Sequence, residues 1–273
     1  MAELDIAALA NALQEAAARE ILPRFRKLGE GDVRMKTEAI DLVTEADEAS
    51  ERLIRERVAE AMPDAVFIGE EAVAADPALL NKIADAELAV IVDPIDGTFN
   101  YAAGLPLFGV MLSVVARGET VAGIIYDPMG NDWLIAEKGS GAWLCGADGS
   151  QTQMAVAPPV PLDQMVGIAA LTYLDKAAKR QILSNLAEVR LFTSYRCSAH
   201  EYRTFAVGHL HFLMYKKLMP WDHLAGSLIS QEAGAYVARL DGSAYLPHNF
   251  EGGLLIAPDR DSWQELRDKV FVS

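Results

Sequence analysis

The sequence has little cysteine and no long apolar run. Its two cysteines, Cys145 and Cys197, lie far apart and in no metal-binding spacing, which favours a reduced, cytoplasmic protein over a disulfide framework. No apolar stretch approaches the roughly 20 residues that a membrane-spanning helix needs. The opening segment MAELDIAALANAL carries acids where a secretory signal would carry positive charge. We therefore expect a cytoplasmic protein without a membrane partner.

Positive charge is also scarce. The chain has 24 lysines and arginines against 39 acidic residues, so its formal net charge is −15. This balance disfavours nucleic acid or an anionic membrane as the main partner. The five histidines show no HExxH spacing, so a zinc hydrolase of that type is excluded. About half of the 273 residues are apolar, which is enough for the core of one large domain or two closely packed halves.

Hydrophobic periodicity divides the chain into two halves. Residues 4 to about 27 and a segment that begins after Thr44 have apolar residues at helical spacing, and residues 88–92 indicate a buried strand. Between residues 109 and 145, β-branched runs separated by turn signals predict an antiparallel meander. After a proline-rich stretch near residue 158, strands and helices alternate. We predict an α+β half over residues 1–150 and an α/β half over residues 151–273.

The most informative segment is DPIDGT, residues 93–98, directly after the buried strand. Pro94 stiffens the turn, and Gly97 lets the backbone approach a ligand closely. Asp93 and Asp96 offer hard oxygen ligands, and Thr98 adds a hydroxyl. Such a turn is suited to hold magnesium against a phosphate group.

Other acids occupy similar positions, each at a strand-to-loop boundary or a helix start: Asp47, Glu70, Glu71 and Asp222. Each alone is more often a solvated charge or a helix cap. Clustered without a cation, they would repel one another, and their pKa values would rise. Magnesium removes that penalty and requires oxygen ligands. Taken jointly, these acids and DPIDGT predict a carboxylate cage for hard cations.

These segments together resemble the inositol monophosphatase family of magnesium-dependent, lithium-sensitive phosphatases. The matching segments are Lys36 with LVTEAD (42–47), GEE (69–71), DPIDGTFNY (93–101) and WDHLAG (221–226), in order across nearly the whole chain. The resemblance implies the layered αβαβα sandwich of the sugar-phosphatase type, which fructose bisphosphatases share. It also implies hydrolysis of a small phosphorylated metabolite, two or three magnesium ions, and a homodimer.

The resemblance implies metal ligands position by position. Glu70, Asp93 and the carbonyl of Ile95 would hold a first metal ion. Asp93, Asp96 and Asp222 would hold a second, so that Asp93 bridges the two. A weaker third ion would use Glu70 through water, which gives Glu70 a part in catalysis.

The resemblance also implies the groups around the attacking water and the phosphate. Asp47 and Thr98 would orient and activate the water. The backbone N–H groups of Gly97 and Thr98 would contact the phosphate. Lys36 would screen the metal and phosphate charges, or else be an ordinary loop lysine, and Glu71 would support the site.

The substrate rim departs from the family pattern. The family usually presents Gly-Ser/Thr-Ala-Ala where this chain has Arg196-Cys197-Ser198-Ala199. A glutamate that accepts a ring hydroxyl usually lies seven residues before the aspartate of WD, where this chain has Tyr215 followed by Lys216 and Lys217. We hypothesise that Arg196, Tyr215 and one of the lysines recognise an alcohol other than inositol. The predicted substrate-binding set is Asp96, Gly97, Thr98, Arg196, Ser198 and Tyr215.

Four alternatives stay open at this point. Arg196 could point outward and pair with an acid. The basic rim could serve a bisphosphorylated substrate, such as 3′-phosphoadenosine 5′-phosphate or fructose 1,6-bisphosphate. The chain could be a regulatory or binding protein that kept the fold and lost turnover. Finally, Cys197 and His200 are close enough in sequence to suggest a nucleophile and its base.

Overall fold

The fold is described by a computed structural model that covers residues 4–29 and 31–271. Its helices are α1 (Ile6–Ala16), α2 (Glu45–Ala61), α3 (Glu70–Ala75), α4 (Lys82–Asp85), α5 (Thr98–Ala102), α6 (Lys176–Asn185), α7 (Ser198–Ala206), α8 (Pro220–Glu232) and α9 (Arg260–Lys269). Its strands are β1 (Val33–Met35), β2 (Leu42–Thr44), β3 (Val66–Gly69), β4 (Leu88–Asp96), β5 (Gly109–Ala116), β6 (Glu119–Asp127), β7 (Asp132–Glu137), β8 (Ala142–Gly146), β9 (Gln151–Gln153), β10 (Val166–Ala169), β11 (Leu191–Thr193), β12 (Phe212–Tyr215), β13 (Tyr236–Arg239) and β14 (Leu254–Ala257).

Two large sheets organise the molecule. The first has seven strands in the order β3-β4-β5-β6-β7-β8-β9, and all of its pairs except β3–β4 are antiparallel. The predicted meander corresponds to β5–β8 of this sheet, and β3 and β4 extend it at one edge and β9 at the other. The second has five strands in the order β11-β10-β12-β14-β13. Its β10 is parallel to β11 and β12, as expected where strands alternate with helices.

Apolar side chains on both faces of each sheet pack against helices, which gives five layers of secondary structure. Helices α1 and α2 cover the outer face of the seven-stranded sheet. Helices α7 and α8 lie between the two sheets, and α6 and α9 cover the far face of the five-stranded sheet. Within the middle layer, an added Cβ on Gly226 of α8 would lie 2.1 Å from the Tyr202 ring of α7. The predicted αβαβα sandwich is therefore confirmed, while the division near residue 150 stays a prediction.

Several local predictions differ from the structure in extent. Helix α1 ends at Ala16 and continues as a π-helical turn over Ala17–Ile21, so the helix predicted to about residue 27 is too long. Strand β4 runs on to Asp96 across an irregularity in its pairing with β5. The β1–β2 hairpin and the short helices α3 and α5 were not predicted. Their runs are too short for periodicity to reveal.

No helix within the described ranges combines the length and the apolar character needed to cross a membrane.

Candidate active site

The predicted metal-binding and substrate-binding residues come together at one surface cavity. It is lined by Glu70, Asp93, Ile95, Asp96, Gly97, Thr98, Arg196, Ser198, Tyr215 and Asp222. These residues come from the ends of β4 and β12, from the positions just before α5 and α7, and from the first turns of α3, α5, α7 and α8. Asp47 and Lys36 reach lining residues through side-chain hydrogen bonds. The fold thus unites segments that are far apart in sequence.

Three carboxylates form the acidic centre of the cavity. One oxygen from each of Asp93, Asp96 and Asp222 lies within 4.8 Å of the other two. The end of β4 supplies the first two, and Pro220 at the start of α8 places Asp222 in that helix's first turn. Burial, followed by the neighbouring carboxylates, raises the pKa of Asp93 and of Asp222 well above the ordinary value. A compact set of hard oxygen donors that repel one another fits a divalent cation such as Mg²⁺.

Lys36 is the cation that pairs with Glu70 and Glu71, the two acids of the GEE segment. Its ammonium donates to Glu70 Oε1 at 2.9 Å and to Glu71 Oε1 at 2.6 Å. Burial alone would lower the pKa of Lys36, but the two carboxylates raise it above the ordinary value. Burial, with Glu70 adding to it, raises the pKa of Glu71 to about 8. Lys36 therefore stays charged and contacts both acids of the GEE segment.

Glu51 is a site residue that sequence reasoning missed. Its carboxylate accepts hydrogen bonds from the backbone N–H groups of Glu71 at 2.7 Å and Ala72 at 2.9 Å, and so caps the start of α3. An added Cβ on Gly69 would lie 2.3 Å from this carboxylate, which explains the glycine of GEE. The available signal was spacing, because Glu51 follows Asp47 by four residues on the same face of α2.

Asp47 and Thr98, the predicted water-activating pair, are in contact. The Thr98 hydroxyl lies 3.1 Å from Asp47 Oδ1 and 2.9 Å from the carbonyl oxygen of Ile95. The other oxygen, Asp47 Oδ2, accepts the backbone N–H of Thr44 at 2.8 Å and its hydroxyl at 2.5 Å. Thr44 and Asp47 thus form a capping box at the start of α2, and it fixes the carboxylate. Burial raises the pKa of Asp47 to about 7.

Asp96 is held by the start of α7. Its Oδ2 accepts the backbone N–H of Ala199 at 2.5 Å and the thiol of Cys197 at 3.1 Å. Burial, with Asp96 adding to it, raises the pKa of Cys197 well above its ordinary value, which disfavours a thiolate. The ring of His200 instead lies 3.1 Å from the carbonyl oxygen of Phe108. The structure therefore does not form the Cys197–His200 nucleophile pair.

A sequence model described as the inositol monophosphatase family matches residues 3–271. The chain belongs to that family. A Thermotoga maritima protein named fructose-1,6-bisphosphatase/inositol-1-monophosphatase is 30% identical over 77% of this chain and 76% of its own length. An inositol-1-monophosphatase from Caulobacter vibrioides is 29% identical over 93% and 96%. The crystal structure of extragenic suppressor protein suhB from Bartonella henselae is 25% identical, covers 97% of each chain and superposes with a TM-score of 0.81.

Arg196 stands where the inositol monophosphatase family usually presents glycine. Its backbone has φ +53°, a left-handed conformation that glycine adopts without cost. The guanidinium lies 3.5 Å from the centre of the Phe99 ring. Arg196 is exposed, as the outward alternative expected, but it forms no ion pair within the described part of the chain. Stacking leaves the planar N–H groups of the guanidinium free at the cavity rim.

Tyr215 stands at the position of the family glutamate. Beside it lies Glu201, an acid that sequence reasoning missed. Glu201 of α7 is 2% exposed and lines the cavity. It accepts the backbone N–H of Tyr195 at 2.8 Å and the hydroxyl of Ser194 at 3.2 Å. Burial raises the pKa of Glu201 to about 7. The signal was an acid on the otherwise apolar, buried face that Tyr202 and Phe205 define in α7.

Proposed function

We propose that the chain hydrolyses a small phosphate monoester in a magnesium-dependent reaction in which water attacks phosphorus directly. The observation that carries this proposal is the juxtaposition, in one cavity, of the Asp93–Asp96–Asp222 cluster with the Asp47–Thr98 pair. Family membership and the names of the curated relatives support a phosphatase.

The residues that would hold magnesium are those predicted from the sequence. Glu70, Asp93 and the Ile95 carbonyl would hold one ion, and Asp93, Asp96 and Asp222 a second. Bound Mg²⁺ supplies Lewis-acid activation of water and neutralises charge at the leaving oxygen. Lys36 keeps Glu70 and Glu71 partly compensated before the metal arrives.

Asp47 and Thr98 would position the attacking water. The Thr98 hydroxyl, donating to Asp47 or to the Ile95 carbonyl, presents its lone pairs toward a water in the cavity. A carboxyl with a pKa of about 7 is suited to accept the proton that the water loses near neutral pH. The N–H groups of Gly97 and Thr98 are proposed to bind the phosphate oxygens, and Ser198 the substrate beside them.

A bisphosphorylated substrate is the second candidate. Arg196, Lys216 and Lys217 all line the cavity, opposite in charge to its acidic centre. A second phosphate could bind these cations while the first lies at the acids. The name of the Thermotoga maritima relative includes such an activity. The homodimer, lithium inhibition and cytoplasmic location stay predictions.

A phosphate-ester panel tests both candidates. We would measure phosphate release from inositol, sugar, nucleotide and histidinol monophosphates and from the two bisphosphates, with and without Mg²⁺. Magnesium-dependent turnover of a monoester supports the proposal, and strong preference for a bisphosphate favours the second candidate. Failure to release phosphate from any ester would leave the regulatory or binding protein as the better explanation.

A further inference from the structure

Arg196 has a backbone conformation that favours glycine. Its φ of +53° lies in the left-handed region, where a residue with a Cβ is strained. The inositol monophosphatase family usually presents glycine at this position, so this chain keeps the turn and adds a long cationic side chain. Strain of this kind persists only where the surrounding structure enforces it, and it is concentrated at functional sites.

Hydrogen bonds to both backbone polar groups of the preceding residue enforce the turn. The N–H of Tyr195 donates to Glu201 Oε1 at 2.8 Å, and its carbonyl oxygen accepts from Asn100 Nδ2 at 2.7 Å. The N–H of Arg196 donates to the hydroxyl of Ser194 at 3.2 Å. Glu201 and Asn100 are only 2% and 3% exposed. Buried partners on two helices therefore hold the strained residue in one conformation.

The turn directs the Arg196 guanidinium onto the Phe99 ring. The central carbon of the guanidinium lies 3.5 Å from the ring centre, which is the distance of a flat cation stacked on an aromatic face. Its N–H groups have no carboxylate partner among residues 4–29 and 31–271. They lie in the plane of the guanidinium, so they can donate side by side to a ligand in that plane.

This cation lies beside the proposed reaction centre. Phe99 follows Thr98 of the water-activating pair, and both Phe99 and Arg196 line the cavity. Cys197, the next residue after Arg196, donates to Asp96 Oδ2 at 3.1 Å. A group that lies a few bonds from phosphorus on the leaving alcohol can therefore reach the guanidinium.

We propose that Arg196 is a specificity-determining residue that binds a carboxylate on the leaving alcohol, so that the substrate is the phosphate ester of a hydroxy acid. This inference rests on the proposed function. A planar carboxylate accepts two parallel hydrogen bonds in the plane of the guanidinium. A tetrahedral phosphate would place oxygens out of that plane, toward the electron-rich face of Phe99. A neutral hydroxyl would accept without the gain from opposite charge.

Matched esters test the proposal. Glycerol 3-phosphate, 3-phosphoglycerate and glycerol 1,3-bisphosphate share one carbon chain and differ in the far end group, which is hydroxymethyl, carboxylate or phosphate. Sorbitol 6-phosphate and 6-phosphogluconate repeat the first comparison on a longer chain. We would measure kcat/KM for each with Mg²⁺. The wild type should prefer the carboxylate ester by about tenfold or more, because hydrogen bonds between charged groups are the strong ones.

Variants of Arg196 assign that preference to the guanidinium. Arg196→Gly should bring the ratio of carboxylate to hydroxymethyl ester close to unity. Arg196→Lys should keep part of it, because an ammonium keeps the charge and loses the planar pair of donors.

The matched control is Arg117→Gly. Arg117 has φ +51° in the exposed turn between β5 and β6, and it does not line the cavity. Both glycine variants relieve the same backbone conformation, so a difference between them isolates the side chain at the cavity. Arg117→Gly should keep the wild-type preference.

Three results would overturn the proposal. The first is equal kcat/KM for the carboxylate and hydroxymethyl esters of both chains. The second is a carboxylate preference that survives in Arg196→Gly, which would assign it to the metal ions or to other cations. The third is a strong preference for the bisphosphate, which would favour the second candidate function.

If no ester is hydrolysed, the proposed function fails but the carboxylate site can still be judged. Binding of 3-phosphoglycerate and glycerol 3-phosphate would then be measured by calorimetry with Mg²⁺ present. Tighter binding of 3-phosphoglycerate by the wild type and by Arg117→Gly, but not by Arg196→Gly, would retain the site. Equal affinities for the two esters in the wild type would reject it.

Discussion

The backbone N–H of Glu71 donates a 2.7 Å hydrogen bond to the carboxylate of Glu51. This contact ties the start of α3 to α2 and so positions Glu70, a proposed metal ligand. It requires a residue without a side chain at Gly69, where the Glu51 carboxylate occupies the space of a Cβ. Two residues outside the proposed ligand set therefore determine where a ligand stands.

Gly69→Ala should lower both stability and activity. The new Cβ, 2.3 Å from the Glu51 carboxylate, must displace it and open the cap. We expect a loss of about 1–3 kcal/mol in the free energy of unfolding, measured with urea, and a lower kcat/KM. Glu51→Ala removes the same cap, so the double variant should lose less than the sum of the single losses. Strict additivity would contradict the coupling. The control is Gly29→Ala, whose Cβ would lie 3.4 Å from its nearest neighbour.

Lys36→Met should destabilise the metal-free protein. It leaves Glu70 and Glu71 without their shared cation in a largely buried setting. We expect a loss of roughly 2–4 kcal/mol, because breaking a buried ion pair leaves an uncompensated charge. Mg²⁺ should restore part of the lost stability. The rise in Tm on adding Mg²⁺ should therefore be larger in Lys36→Met than in the wild type.

Lys138→Met is the matched control for that lysine. Lys138 pairs with Glu119 on the exposed surface, and such pairs contribute about 1 kcal/mol or less. Equal losses in the two lysine variants, or no greater response to Mg²⁺ in Lys36→Met, would argue against charge compensation at the site.

The sequence was most informative where the functional side chains lie close together in one short segment. Asp93 and Asp96 follow a buried strand, and Thr44 precedes a helix with Asp47 at its third position, so local rules place all four. Glu51 and Glu201 were missed because their roles arise from tertiary contacts to α3 and to the loop before α7. An acid inside a helix reads as surface charge unless its neighbours in space are known.

Asp93→Asn should separate activity from stability. Removing the proposed bridging ligand should lower kcat/KM by roughly a thousandfold. In chelator, the same variant should unfold at a higher temperature than the wild type, because burial and repulsion destabilise the Asp93 carboxylate. Near-normal turnover would exclude the bridging role, and an unchanged Tm in chelator would exclude the repulsion.

Thr98→Ala and Thr98→Ser should differ sharply in rate. Serine keeps the hydroxyl that contacts Asp47 and the Ile95 carbonyl, and alanine removes it. We expect Thr98→Ala to lower kcat about 100-fold and Thr98→Ser less than about tenfold, since positioned proton transfer contributes on this scale. Rates would be measured at saturating ester and Mg²⁺. If both variants lose the same activity, the methyl group matters and the hydroxyl does not.

The stability of the metal-free protein should fall as pH rises, and Glu201 should be one cause. Its pKa is about 7 in the folded state against an ordinary value of 4.5, so above the lower value the unfolded chain releases a proton that the folded chain retains. The unfolded state then binds fewer protons, and the free energy of unfolding decreases with pH. The decrease should extend from 4.5 to about 7 and then cease for this group.

Glu201→Gln should remove that contribution while keeping the hydrogen bonds to Oε1. The variant should therefore be more stable than the wild type at about pH 8, by up to roughly 3 kcal/mol, and nearly equal to it at about pH 4. Urea unfolding in chelator measures both.

The exposed Glu56 offers the control Glu56→Gln, which should leave the pH profile unchanged. The free energy of unfolding of Glu201→Gln should still decrease somewhat as pH rises, because burial also raises the pKa of Asp47 to about 7. A variant curve parallel to that of the wild type would mean that Glu201 is ionised in the folded protein throughout this range.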